Sequence, residues 1–257
     1  SYPTSDAHLK LSGKGAVSRI FNNNVSEIIK RFPDKFIGAA ALPVENADDM
    51  IAEFRRSREE LGLRAISLAS SYDGRYLDDR LFTPLYKEIE GENIPIFVHS
   101  QIVNPIGFER VHDPLLTPVI EYIFDITMCV GRLLMSGILR DYPGLKFIFA
   151  NFAGAIPLLK DRFDATYAML RSINFVGDLK ANPSAYLKNI YVDTGGDTNR
   201  SNLYLALEVF GARHVLWGSD WPAKKDTSGS IAAVKNLAIS KEDLNNVLGG
   251  NLERIYQ

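Results

Sequence analysis

The sequence predicts an α/β protein and, within that class, a (β/α)8 TIM barrel. Three observations carry the prediction. Short, nearly all-apolar runs alternate with amphipathic helical segments, those runs end in polar or ionisable residues, and no glycine-rich fingerprint follows an early strand. Strands separated by helical crossovers pair in parallel, which leaves a doubly wound open sheet or a barrel. An open dinucleotide-binding sheet would carry a Gly-x-Gly-x-x-Gly turn, and "SGKGAV" (12–17) lacks phosphate-loop spacing. In a barrel the C-terminal strand ends build the active site, and this chain puts its polar residues there.

The elements follow in order. Val17, Ile20, Phe21, Val25, Ile28 and Ile29 recur at helical spacing before "RFPDK" stops the helix. "KFIGAAALP" (35–43) is an apolar run bounded by turn residues, as expected of a strand buried on both faces. In "NADDMIAEFRRSREELG", Asn46 can cap the next helix, Asp48 and Asp49 suit its positive start, and Gly62 can close it. The alternation continues with strand "RAISLAS", a helix around "PLYKEIEGE", strand "PIFVHS", and a long helix opened by Thr117-Pro118 and ended near Pro143. Strand "KFIFAN", helix "LLKDRFDATYAMLRS", strand "NIYVDT", helix "NLYLALEVFG" and strand "HVLWGSD" complete six strands. Without a composition shift or low-complexity tract, residues 1–257 read as one domain.

Composition narrows the partners. Of 257 residues, 46% are hydrophobic and 23% charged, enough for a large core. Lys plus Arg is 29 against 31 Asp plus Glu, so no net field attracts nucleic acid or an anionic membrane, and a small-molecule substrate is expected. No apolar run is long enough to span a bilayer. The single cysteine, Cys129, rules out an intrachain disulfide framework or a Cys-based zinc site and fits a reducing cytoplasm. The chain begins at Ser rather than Met and shows no signal peptide, so its N-terminus is expected to be incomplete.

The strands finish at Pro43, Ser70, His99-Ser100, Asn151, Asp193-Thr194 and Asp220; if parallel, they share one mouth. Histidine and carboxylate are the donors a divalent metal uses, and the metal lowers the proton affinity of bound water. Each residue also has a structural explanation. His99 can be a hydrogen-bonded strand end, Asp220 can cap the following helix, and Asp193 before "TGGD" suits a loop cap. His214 opens a strand, the wrong end for chemistry, and His112 lies in a long loop; His8 is weaker still. Trp217 reads as core, whereas Trp221, next to Asp220, can line a pocket. Met128, Met135 and Met169, at helical spacing with apolar neighbours, read as core.

"FIGAAALP", "PIFVHS", "GRLLMSGILRDYPGLKFIFANFAGAIP", "NIYVDTGG", "LYLALEVFGARHVLWGSDWP" and "VLGGNLERIY" together resemble, in order and spacing, the amidohydrolase-2 branch of the amidohydrolase superfamily. That branch holds aminocarboxymuconate semialdehyde and dihydroxybenzoate decarboxylases. The resemblance covers nearly the whole chain. It implies a (β/α)8 barrel with one divalent metal, Zn or Mn, at its mouth, Asp220 as metal ligand and proton carrier, and His99 as ligand. Two departures stand out. The family's opening His-x-His or Glu-x-His motif is absent, and the visible strands correspond to the third through eighth, so the first two are expected to be missing. Where the family usually has a histidine after its sixth strand, this chain has Asn151, whose amide cannot act as a general base but can orient a water or substrate oxygen, or cap the loop. The implied function is a metal-dependent decarboxylase or hydrolase acting on a small oxygenated aromatic or unsaturated acid, with a homodimer as the expected assembly. An ester, lactone or amide hydrolase and a metal-free, catalytically silent binding barrel are the alternatives.

Overall fold

A computed structural model describes residues 14–257 apart from Asp73 and His112; His8, His112 and the Ser12-Gly13 start of "SGKGAV" lie outside the described residues. Helix α1 (Lys14–Arg31) precedes β1 (Ala39–Ala41), α2 (Ala47–Glu59) and β2 (Ala65–Ala69). A hairpin of β3 (Ser71–Tyr72) and β4 (Arg75–Tyr76) and helix α3 (Thr83–Ile89) lead to β5 (Pro95–His99). Next come α4 (Phe108–Val111), a π turn (Thr117–Glu121), α5 (Tyr122–Ser136), α6 (Ile138–Asp141) and β6 (Lys146–Phe149). Then follow α7 (Ile156–Ser172), β7 (Ile190–Asp193), α8 (Arg200–Phe210), β8 (Val215–Leu216), α9 (Ser228–Lys235), α10 (Lys241–Asn245) and α11 (Asn251–Ile255).

Among the described residues, β1, β2, β5, β6, β7 and β8 form one parallel sheet in sequential order, as the alternation predicts; the antiparallel β3–β4 hairpin is an addition. The two faces are unequal. Ile66, Leu68, Ile96, Val98, Phe147, Phe149, Ile190 and Val192 are buried beneath the helices. On the opposite face Ser67, Phe97, His99, Tyr191 and Asp193 are only half-buried. There Leu252 and Ile255 of the C-terminal segment cover Ile148 and Leu216. Arg64 donates to the Tyr256 carbonyl at 3.0 Å and Lys146 to that of Ile255 at 3.2 Å, which holds the chain end across the N-terminal end of the sheet. His214 sits at that end as expected, stacked on Tyr191.

At the edge strand β1 the outward-facing backbone groups of Ala41 are satisfied by a side chain. Asn22 Nδ2 donates to the Ala41 carbonyl at 2.9 Å, and the Ala41 N–H donates to Asn22 Oδ1 at 2.8 Å, so one amide replaces a neighbouring strand. Asn22 also donates to Glu53, which receives two hydrogen bonds from Arg56. Burial pushes the Glu53 carboxyl up, but these bonds from Arg56 and Asn22 outweigh it and hold it below the usual glutamate range.

Four expectations are corrected. The strand in 35–43 shortens to β1, because the Phe36 N–H donates to the Phe32 carbonyl and prolongs the turn leaving α1. The long helix starting at Thr117 breaks at Gly137, whose φ of 89° lies in the left-handed region, and resumes as α6. Met128 and Met169 are not core: they are 41% and 57% exposed, because their positions on α5 and α7 face away from the sheet. Helical spacing identifies a shared face but not which side that face meets.

Replacing Asn22 with Leu should lower stability by about 1–3 kcal/mol for each Ala41 group left unpaired, read from urea unfolding; an unchanged midpoint would remove the edge role. Glu53 contributes fully above the unfolded glutamate pKa, and that contribution disappears as pH falls through its lower folded value. Glu53→Gln should therefore flatten the acid limb of a stability–pH profile, and an unaltered limb would contradict this.

Candidate active site

The C-terminal ends of β5, β6 and β8 open into a cavity of about 620 Å³ lined by His99, Tyr122, Asn151, Asp220, Trp221 and Lys224. The four residues singled out from sequence, His99, Asn151, Asp220 and Trp221, therefore share one cavity. Tyr122 and Lys224 were not singled out; for Lys224 the available signal was its position in "DWPAKK", four residues past Asp220.

His99 is the last residue of β5, on the half-covered face of the sheet. Its Nδ1 lies 3.1 Å from both the Ser100 carbonyl and the Ser100 hydroxyl; in the tautomer in which Nδ1 donates to the carbonyl, Nε2 keeps its lone pair. Burial lowers the imidazole pKa, while the Ser100 carbonyl and the charges of Asp193 and Asp220 act in the opposite direction. The neutral ring with a free nitrogen is the form that binds a metal.

Asp193, at the end of β7, ties the turns after β6 and β7 together. Its Oδ1 accepts the Asn151 N–H at 3.0 Å and the Gly195 N–H at 2.8 Å. Burial pushes its carboxyl above the usual aspartate range, and the two N–H bonds only partly offset that rise. The loop-cap reading of Asp193 is thus what the geometry shows. Gly218, after β8, leaves room for this carboxylate, since a Cβ there would come within 2.9 Å of Asp193 Cγ.

The clamp fixes an unusual backbone. Asn151, Phe152 and Ala153 have φ of 51°, 57° and 60°, all left-handed, at a cost of about 1–2 kcal/mol per residue. The turn aims the Asn151 side chain into the cavity against Gly195, and its amide caps no helix. Asp220 is also left-handed, with φ 57°, and its carbonyl accepts the Lys224 N–H at 3.0 Å. Lys224 Nζ in turn donates to the carbonyls of Gly195 at 2.8 Å and Gly196 at 3.1 Å, leaving one of its three donors for a ligand. Trp221 stands at the rim, 61% exposed.

His99 and Asp220 are donors of the right kind for a divalent ion, one neutral nitrogen and one anionic oxygen. They fall short in number: among the described residues, no group of three or more His, Cys, Asp or Glu could hold a metal. A second cavity, of about 410 Å³, surrounds buried Asp125. That carboxylate already accepts from Ser70, Ser71, Tyr76 and the Ile106 N–H, which marks it as a structural hub.

Residues 14–257 match the amidohydrolase family, and the chain belongs to it. A 2-amino-3-carboxymuconate-6-semialdehyde decarboxylase from Dictyostelium discoideum is 24% identical over 242 residues, covering 91% of this chain and 65% of the relative. The chain therefore spans just under two thirds of that protein's length. The crystal structure of 5-carboxyvanillate decarboxylase from Sphingomonas paucimobilis superposes with a TM-score of 0.88 at 22% identity, covering 100% of this chain and 76% of that one. A dihydroxybenzoic acid decarboxylase from Polaromonas sp., solved with bound manganese and 2-nitroresorcinol, gives 0.85 at 21% identity over 100% and 79% of the two chains. The fold is that of the TIM barrel, to which the described residues contribute six parallel strands.

Gly195→Ala should cost about 1–3 kcal/mol, because the new Cβ would lie 1.9 Å from Asn151 Oδ1 at a left-handed φ of 52°. Equilibrium unfolding reads this loss, and a wild-type midpoint would show that the Asn151 turn is not held where described.

Proposed function

We propose a metal-dependent decarboxylase that acts on a small, planar, oxygenated carboxylic acid, aromatic or unsaturated, and works as a cytoplasmic homodimer. The observation that carries the reading is a single cavity at the strand ends that combines His99 and Asp220 with a cation, Lys224, and two aromatic walls, Tyr122 and Trp221. The names of the relatives support the same reaction class.

The residues divide the work. Lys224, anchored by two carbonyls, presents its remaining donor to the substrate carboxylate. Tyr122 and Trp221 border the space that a flat ring fills, and the Asn151 amide reaches a ring oxygen. Asp220 supplies a proton to the carbon bearing the carboxylate. That new C–H bond takes a π pair of the ring or alkene; the carbon–carboxylate bond then breaks, its electron pair restores the π bond, carbon dioxide leaves, and Asp220 is left as the carboxylate. His99 Nε2 and the Asp220 carboxylate would hold a divalent ion, manganese or zinc, together with donors beyond those described; when bound it would polarise the substrate oxygens. Asn151 favours decarboxylation over hydrolysis, since an amide cannot activate a water for attack.

Carbon dioxide release from a panel of hydroxybenzoates, with manganese or zinc added to the full-length protein, tests the reading. Release with at least one member supports it; metal-free full-length protein that stays inert with either ion overturns it. Asp220→Asn should lower kcat by about 10²–10⁴-fold with the fold retained by circular dichroism. Lys224→Met should raise KM by roughly 10–100-fold, the equivalent of one charge-assisted hydrogen bond. Unchanged KM in that variant would remove Lys224 from substrate binding.

A further inference from the structure

The left-handed turn that carries Asn151 is held at both ends. Its internal hydrogen bonds, from the Ala153 N–H to the Ala150 carbonyl at 3.1 Å and from the Gly154 N–H to the Asn151 carbonyl at 2.9 Å, fix its shape but not its place in the fold. Asp193 places the start by accepting the Asn151 N–H. Thr127 on α5 places the end, because its Oγ1 accepts the Ala155 N–H at 2.8 Å. The hydroxyl proton is committed elsewhere: Oγ1 donates to the Ile123 carbonyl, one helical turn back, at 2.7 Å. The lone pairs of a buried threonine therefore face Ala155.

The backbone of the turn also presses directly on this hydroxyl. Gly154 has φ 69° and ψ −129°, a combination that only glycine adopts freely, and a Cβ there would come within 2.3 Å of Thr127 Oγ1 and 2.4 Å of the Ile123 carbonyl oxygen. The same stretch of α5 contributes Tyr122 and Ile123 to the cavity that Asn151 enters. One hydroxyl thus joins the amide to the wall with which it shares the cavity. Thr127 lies on the inner side of the helix. The outer side carries an exposed apolar row, Leu116, Ile120, Phe124 and Met128, beside a groove of about 360 Å³, and takes no part in this contact.

We propose that Thr127 is a positioning residue of the active cavity: it locks the Asn151 turn onto the Tyr122–Ile123 stretch of α5 and so sets where the amide stands relative to that wall. Thr127 meets no substrate itself. A shift of about 1 Å in a group that does can cost as much as ~100-fold, so a hydroxyl behind the cavity bears on function through the amide it places. The effect on substrate rests on the decarboxylase reading, whereas the placement of the turn does not.

Thr127→Val and Thr127→Ala both remove the acceptor, the first keeping the side-chain shape and the second avoiding any crowding of Gly154; Thr127→Ser keeps the hydroxyl. In hydrogen exchange on the full-length protein, the amides of residues 151–155 should exchange about tenfold faster in Thr127→Val and Thr127→Ala and at the wild-type rate in Thr127→Ser, with β5 unaffected throughout. On a hydroxybenzoate that the wild type turns over, Thr127→Val or Thr127→Ala should raise KM about tenfold with kcat within about twofold, and Thr127→Ser should restore it. Adding either variant to Asn151→Ala should raise KM no further, because both changes lose the same amide contact. Unchanged exchange at 151–155 without the hydroxyl, failure of Thr127→Ser to restore it, or KM effects that add to those of Asn151→Ala would each overturn the proposal. A wild type inert on every hydroxybenzoate overturns the reaction instead, and the exchange rates then decide the role of Thr127 by themselves.

Discussion

The site depends on one carboxylate. Asp193 accepts the backbone N–H groups of Asn151 and Gly195 through a single oxygen, linking the turn after β6 to the turn after β7, while Gly218 after β8 leaves space for it. Remove that acceptor and two buried N–H groups lose their partner, and the left-handed run from Asn151 to Ala153 loses the contact that holds it. Asn151 reaches the cavity only because of that run. Lys224 depends on it too, since the Gly195 and Gly196 carbonyls that hold its ammonium belong to the same clamped turn. A strained backbone held by fixed hydrogen bonds can position groups without reorganising when a ligand arrives.

The unequal faces of the sheet explain why the chemistry gathers where it does. In a parallel sheet alternate residues point to opposite sides. The set beneath the helices is uniformly apolar and fully buried, so it supplies the hydrophobic stabilisation and leaves no room for ionisable groups. The other set runs from Phe97, Ile148 and Tyr191 to His99 and Asp193 as each strand reaches its C-terminal end. The lower part is covered by Leu252 and Ile255, and the upper part stays polar and accessible. Stability and function therefore occupy different residues of the same strands.

Much of this was legible in the sequence because period and punctuation have local causes. Six strands were readable since a strand covered by helices is a short apolar run, and their polar ends were readable since the run stops where cover stops. His99 and Asp220 share a cavity because parallel pairing puts all the strand ends on one side, a consequence of connectivity alone. The rest required tertiary information. Nothing local to Asn22 shows that its amide will pair with Ala41, nineteen positions away. Lys224 is an unremarkable loop lysine until two carbonyls after β7 fix it. Met128 and Met169 were misassigned because a helix whose outer face is apolar has the same pattern as one with a wide buried face.

The exposed row sets α5 apart from a simple cover helix. A helix that only covers a sheet needs one apolar stripe, and α5 has it in Ile126, Cys129, Val130 and Leu133, all fully buried. Its second apolar row adds nothing to that packing and leaves hydrocarbon in water. Within the π turn at its start, Pro118 and Val119 line the cavity while Ile120 and Glu121 line the outer groove. The two surfaces meet in a single turn of backbone.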